Sequence, residues 1–300
     1  MQIDKQNGNV AFNNNEHCYW NVNDNEKYIS VTTLIHRFTQ SFDKEFWSAY
    51  KALEKLLPKE SWNIEKKSLL NLKRFDKSLL EVYDISENDF NKEQQNILDE
   101  WDNENRRSCE RGTKIHEELE NSFYANPNNI SLKKFGIGGK FECKKDYSEL
   151  DLEYGVYPEY LISRESEDGI LRIAGQVDLI VKSGNEISII DHKTNKKIDQ
   201  KSFYNTKTRS SVKMKYPLNT LDDTNFWHYT LQLSTYAWML QKINPNFIIK
   251  DLILNHYDHE GNNTIYHCDY LKDEVERMLY FYKKELISER QKAKRKRIEY

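Results

Sequence analysis

The segment Gly175–Thr194, GQVDLIVKSGNEISIIDHKT, constrains the chain more than any other because it reads as two strands folded back on each other. Val177, Leu179 and Val181 alternate along the first strand, and Ile187, Ile189 and Ile190 mark the second. The stretch Lys182–Asn185 between them carries hairpin chemistry, since Gly184 and Asn185 tolerate positive φ. Asp178 therefore lies in the first strand and Asp191 at the end of its partner, with Lys193 two residues further on. A hairpin can bring the two carboxylates close together. Close carboxylates repel unless a cation neutralises them, and oxygen ligands of this kind suit Mg²⁺ or Mn²⁺. A lysine beside them can polarise a water or contact a phosphate. The combination points to metal-dependent phosphodiester chemistry. Asp-x-Lys at a strand end is also the pattern of a solvated terminus, so the weight rests on agreement with distant segments.

Three such segments exist. In Arg111–Glu120, Thr113 can cap a helix after Gly112, with Ile115 and Leu119 packing inward and His116 and Glu120 on a neighbouring face. His116 could supply a neutral imidazole to a site built from oxygens, although a histidine on an amphipathic helix also serves simply as a packed or surface residue. Tyr157–Ser163 is rich in β-formers, and Glu159 would add a third carboxylate if this strand pairs with Ile170–Val181; otherwise it is a surface glutamate after a proline. In Phe226–Leu240, Gln232 and Tyr236 stand one helical turn apart with Tyr229 on the same side, while Leu233, Ala237 and Leu240 form an apolar stripe. That polar–aromatic ridge suits a nucleic-acid strand, or alternatively a partly buried helix with satisfied hydroxyls.

Taken in order, Gly112-x-x-x-His116, Glu159, Gly175-x-x-Asp178, Asp191-x-Lys193 and Gln232-x-x-x-Tyr236 resemble the RecB-like branch of the PD-(D/E)XK nuclease superfamily, of the phage and mitochondrial genome maintenance type. The resemblance runs from about Arg106 to the end of the Gln232 helix, and more weakly around Ser30. It implies an α/β fold, a restriction-endonuclease-like core whose central mixed β-sheet is flanked by helices. It also implies one or two Mg²⁺ or Mn²⁺ ions held by His116, Asp178, Asp191 and the backbone carbonyl of His192, with Glu159 assisting and Lys193 positioning the attacking water. His192 stands where relatives often have tyrosine or valine. Gln232 and Tyr236 would contact the DNA backbone or shape the site, and Tyr229, Lys196, Lys197, Arg111 and Thr32 would contact DNA. The implied activity is a DNA exonuclease in recombination, repair or end processing, with a recombination or annealing protein as a possible partner. The alternatives are a structure-specific endonuclease and an inactive DNA-binding or assembly protein.

Composition bounds these expectations. With 38% hydrophobic and 31% charged residues over 300 positions, the chain has length for a sizeable core and no apolar run of membrane-spanning length. No secretory or mitochondrial leader pattern precedes the first strand, so the expected location is cytoplasmic. Abundant asparagine, lysine and isoleucine suit an AT-rich genome such as that of a phage. The four cysteines are scattered without a Cys-x-x-Cys spacing, so no iron–sulfur cluster is expected. The net charge of −3 hides a basic stretch of Lys193, Lys196, Lys197, Lys201, Lys207, Arg209, Lys213 and Lys215, read as a loop able to follow a phosphate backbone.

Elsewhere, Val10–Trp20 and Lys27–Thr32 read as a small hairpin followed by a helix capped by Thr32 or Thr33. Helical patterns follow: Phe46, Ala49, Leu53 and Leu56 before Pro58, then Leu69, Leu72, Leu79, Leu80 and Val82, then Phe90 to Trp101. The expected division is a hairpin and helical cap over residues 1–105 and a nuclease core over 106–300. Phe247–Asp258 and Asn262–Cys268 form an expected hairpin, with His256 and His259 as surface histidines, before a long helix from Leu271.

Overall fold

A computed structural model describes residues 2–14, 16–144, 152–205 and 209–298, with residues 205 and 296–298 described by backbone only. Lys207 lies outside the described residues. The chain divides into two compact units, Met1–Gln40 with Lys114–Tyr300, and Ser41–Thr113.

The larger unit begins with an antiparallel meander of β1 (Lys5–Asn7), β2 (Val10–Asn13), β3 (Cys18–Asn21) and β4 (Lys27–Ser30). Residues 1–40 therefore belong with the main sheet rather than with the helices that follow, which differs from the division at residue 105. The physical reason is a non-local pairing, Ile29↔Ile173 and Ser30↔Ala174, which no local pattern announces. Helix α1 (Val31–His36) is capped by Ser30, whose Oγ accepts from the Thr33 N–H at 3.0 Å, and not by Thr32 or Thr33.

The smaller unit is helical. It contains α2 (Lys44–Leu56), α3 (Lys59–Leu72), α4 (Ser78–Val82) and the first part of α5 (Glu87–Ala125). Asp43 caps α2, and Phe46, Ala49 and Leu53 are buried as their spacing predicts. The leucine-rich segment from Leu69 forms two helices instead of one, because Lys73 takes the left-handed conformation and ends α3; Leu72 and Val82 are exposed. Nor does Thr113 cap a helix. α5 runs unbroken for 39 residues through Gly112, whose cost of about 1 kcal/mol in a helix interior is too small to stop a proline-free segment.

After α5 come β5 (Gly155–Glu165), β6 (Arg172–Ser183) and β7 (Glu186–Lys193), all antiparallel neighbours. The β6–β7 turn is the two-residue Gly184–Asn185, with Gly184 at φ +58°. A small ladder, β8 (Tyr204–Asn205) and β9 (Ser210–Ser211), precedes α6 (Asn225–Ile243). β10 (Ile248–Tyr257) then pairs in parallel with β7, β11 (Asn263–Cys268) returns antiparallel, and α7 (Lys272–Ile298) ends the described chain. The nine-stranded mixed sheet has the order β1-β2-β3-β4-β6-β7-β10-β11, with β5 on β6. Val31 and Leu34 of α1, Leu231 and Leu240 of α6, and Val275 and Met278 of α7 join one core cluster; Ile130, Phe135 and Phe141 join another with Leu179, Val181 and Ile190. The expected mixed sheet flanked by helices is the fold observed. No helix among the described residues is long and apolar enough to cross a membrane.

Two details position the site. Because β7, α6 and β10 form a parallel crossover, strand pairing itself lays α6 on the sheet. At Gly175, an added Cβ would lie 2.6 Å from Tyr236 Cε1 and 2.8 Å from its hydroxyl, so only glycine lets the α6 tyrosine rest on β6. Gly175→Ala is therefore expected to destabilise the fold by about 1–3 kcal/mol in urea titration, the usual cost of overpacking a core. An unchanged midpoint would show that Tyr236 does not pack there.

Candidate active site

Strand register sets the acidic groups in one row. The β6–β7 ladder ends at Leu179↔Ile190, so the next facing positions are Asp178 and Asp191. On the other edge of β6, pairing passes from Pro158↔Leu179 to Tyr160↔Val177, which leaves Glu159 opposite Asp178. Three neighbouring strands thus each place one carboxylate on the same cross-strand line.

Both strands also slip phase at this row. Tyr157, Tyr160 and Ile162 enter one core cluster, as do Ile173, Val177 and Ile180, whereas strict alternation would put positions 157 and 160, or 177 and 180, on opposite faces. Glu159 absorbs the slip at φ +51°, a strained conformation for a residue with a Cβ and one that gathers at functional sites. Val177 consequently does not share a cluster with Leu179 and Val181, in contrast to the alternation read from sequence.

His116 of α5 reaches this row. Its Nδ1 lies 3.6 Å from Glu159 Oε1 and 3.6 Å from Asp178 Oδ1, while its Nε2 lies 3.1 Å from the His192 carbonyl. The ligand atoms of His116, Glu159 and Asp178 fall within 4.8 Å of one another. Two ionised carboxylates at that separation repel by about 3 kcal/mol at an effective dielectric constant of 20, so the cluster calls for positive charge. The His192 N–H donates to Asp178 Oδ2 at 2.6 Å. The His192 carbonyl meets the ring nitrogen of His116 that the carboxylates do not.

Asp191 stands outside that three-residue cluster. It is 1% exposed, with Lys193 Nζ at 2.6 Å from Oδ2 and Gln232 Nε2 donating to Oδ1 at 3.1 Å. Its Oδ2 meets the Lys193 ammonium as an ion pair. Gln232 also lies 3.4 Å from the Tyr236 hydroxyl, and Lys193 lies over the Tyr229 ring at 4.7 Å from its centroid. An imidazole and two carboxylates within 4.8 Å of one another form a donor set that fits a hard divalent ion. His116, Glu159 and Asp178 are the residues placed to hold it.

Charge follows from burial. Burial pushes the Asp178 carboxyl above its ordinary range, opposed mainly by His116. Burial likewise raises Asp191 to about 6, against the pull of Lys193. Burial disfavours charge on His116, yet Asp178 and Glu159 outweigh it and raise this imidazole to about 9. Burial lowers His192 to about 3, which keeps its ring neutral; its Nδ1 faces Asn255 Nδ2 at 2.8 Å.

Gln232 and Tyr236, expected to contact DNA, are both buried, Gln232 against Asp191 and Tyr236 against Gly175. The remaining candidates are dispersed. Lys196 and Lys197 are exposed after β7, and Lys197 pairs with Asp199 at 3.0 Å. Thr32 is exposed on α1, with its hydroxyl 3.1 Å from Ser30 Oγ. Arg111 falls in the smaller unit. Two residues beside the site were not singled out from sequence. Gln176 donates to Glu159 Oε2, and Lys5 Nζ lies 4.0 Å from the same oxygen and 3.9 Å from Glu120 Oε1. Gln176 carries a local signal, two residues before Asp178; Lys5 carries none. His256 is buried rather than a surface histidine, because its Nε2 bonds the Asn195 carbonyl at 2.6 Å, just beyond Lys193.

These shifts set a pH dependence for the metal-free protein. Asp191 and His116 both hold protons more tightly when folded, so their contributions to stability are full below the unfolded values and fade as pH rises through about 6 and about 9 respectively. The Tm in EDTA is expected to fall from pH 5 to pH 9, with Mn²⁺ restoring it at the alkaline end. A Tm that rises over that range, with no response to Mn²⁺, would contradict the cluster.

Two solved structures resemble the chain along most of its length. One, SSO0001, shares 16% identity at a TM-score of 0.34 and covers 88% of this chain and 76% of its own. The other, from Eubacterium rectale and named as a candidate exonuclease, shares 14% identity at a TM-score of 0.34 and covers 87% of this chain and 80% of its own. Among curated proteins, none matches. The family model of the PD-(D/E)XK nuclease superfamily matches residues 33–294, which takes in the acidic row and both helices that approach it. The chain belongs to the PD-(D/E)XK nuclease superfamily, nucleases that use divalent metal ions.

Proposed function

We propose that this protein is a Mg²⁺- or Mn²⁺-dependent DNA exonuclease that hydrolyses phosphodiester bonds at single-stranded or duplex ends, in recombination, repair or end processing. The observation that carries the reading is the approach of His116, Glu159 and Asp178 to within ligand distance of one another, beside the buried Asp191–Lys193 pair. A bound divalent ion supplies Lewis acidity to a phosphoryl oxygen and favours the hydroxide form of a water.

The protein's own groups do the rest. Asp178 is oriented by the His192 N–H, and Glu159 by Gln176 and Lys5, so both carboxylates present their remaining oxygens to His116. Asp191 keeps Lys193 ionised and fixed, since the carboxylate raises the ammonium's pKa against the opposing effect of burial. From that position Lys193 orients the attacking water or balances charge growing on the phosphoryl group. Gln232 holds the other oxygen of Asp191, which keeps the acid and the amine in one geometry. Tyr229, Lys196, Lys197, Arg111 and Thr32 are proposed to contact DNA away from the reacting atoms.

Asp191→Ala and Lys193→Ala are each expected to slow Mg²⁺-dependent cleavage by about 10²-fold or more, the scale set by loss of a positioned acid–base group, while DNA affinity in EDTA stays within about 3-fold. A time course on 5′- and 3′-labelled linear DNA beside covalently closed circles completes the test. Degradation from ends with circles intact is the expected result. Cut circles would transfer the reading to an endonuclease, unchanged turnover in both variants would remove the roles given to Asp191 and Lys193, and no cleavage by the wild type would leave a DNA-binding protein.

A further inference from the structure

Between β7 and α6 the chain builds an anchored two-stranded ladder. The β8–β9 ladder pairs Tyr204↔Ser211 and Asn205↔Ser210. Asp222 ties its base: the Ser202 N–H donates to Oδ2 at 3.2 Å, Ser211 Oγ donates to Oδ1 at 2.8 Å, and Lys213 Nζ lies 2.6 Å from Oδ1. Further along, the Lys215 N–H donates to the Phe38 carbonyl at 2.6 Å, and Gln40 Nε2 donates to the Lys213 carbonyl at 2.8 Å. The approach to the ladder is fixed as well. Asn225, the first residue of α6, donates to the Lys197 carbonyl at 2.8 Å and accepts from the Asp199 N–H at 2.8 Å.

This anchored element holds apolar groups in water. Phe203 is 77% exposed, more than any other large hydrophobic side chain among the described residues. The Val212 N–H donates to the Phe203 carbonyl at 3.2 Å, which extends the ladder by one facing pair, so Phe203 and the exposed Val212 share a face. Tyr204 is exposed on the opposite face. Lys201, Arg209 and Lys215, close by in sequence, are exposed as well. Folding gains nothing from a phenyl ring left in solvent, so the ring is available to a ligand. A ligand that satisfies an exposed flat ring in a cation-rich segment must pair a planar face with negative charge. Unpaired nucleotides do so, whereas a duplex stacks its base faces on one another.

We propose that the β8–β9 ladder is a stacking platform for unpaired nucleotides, with Phe203 against a base and Lys201, Arg209 and Lys215 at the phosphates. This rests on the nuclease reading above and narrows its substrate to DNA with a single-stranded segment. The decisive experiment compares fluorescence anisotropy of labelled oligothymidylate with that of a blunt duplex, in EDTA so that no strand is cut. Phe203→Ala is expected to weaken single-strand binding by about 10-fold, the loss of one stacked base, and duplex binding by less than about 2-fold. Phe203→Trp should retain the wild-type affinity, and the Tm of Phe203→Ala should match the wild type. Equal losses on both substrates, no loss on either, or no single-strand binding by the wild type would overturn the platform. Absence of Mg²⁺-dependent cleavage in the wild type would instead overturn the parent reading, whatever the anisotropy shows.

Discussion

Carboxylates facing one another across adjacent strands cost free energy unless positive charge stands among them, and much of this fold is arranged around that cost. Glu159, Asp178 and Asp191 occupy one row because three antiparallel strands share a continuous register there. The sheet cannot bury the row without compensation, as it buries Val177, Leu179 and Ile190 beside it. It answers with His116 at two of the acids, Lys193 at the third, and a backbone N–H and two amide side chains at individual oxygens. Raised carboxyl pKa values at Asp178 and Asp191 record what that compensation leaves unmet. A divalent ion is the simplest group that removes the remainder.

The architecture around the row serves to bring its compensating groups from distant sequence. The β7–α6–β10 crossover delivers Gln232 and Tyr236, and Gly175 clears the surface on which Tyr236 rests. β10 also steadies the segment that carries Lys193, through Asn255 at the His192 ring and His256 at the Asn195 carbonyl. β1 contributes from the other side: Asn7 donates to the Leu161 carbonyl at 2.7 Å, and two residues earlier Lys5 reaches Glu159, two residues before Leu161. The N-terminal meander is thereby in step with β5 and shares in the site.

Legibility divides along the same line between local and distant contacts. The β6–β7 hairpin, the α6 helix and the β10–β11 hairpin are readable because each advertises itself by periodicity within its own segment. The mixed sheet followed from those strands and from the family resemblance. What sequence concealed depends on partners far away. The pairing of β4 with β6 moves residues 1–40 into the larger unit, and nothing around Ile29 signals it. The double phase slip is invisible because Val177-x-Leu179-x-Val181 looks perfectly alternating; only burial shows that Val177 turns to another cluster. Gly112 and Thr113 form a plausible helix start whose local preference yields to a helix already running through them. His256 looked solvated beside a turn, yet strand pairing with β7 buries it.

The central claim is that His116, Glu159 and Asp178 converge on one divalent ion, next to Asp191 and Lys193. Anomalous diffraction from a crystal soaked in Mn²⁺ tests it without reference to turnover. The account predicts a single strong peak at roughly 2.0–2.3 Å from a His116 ring nitrogen and a carboxylate oxygen of Asp178, lost when the crystal is transferred to EDTA. A peak elsewhere, or none while those three side chains point apart, would contradict it.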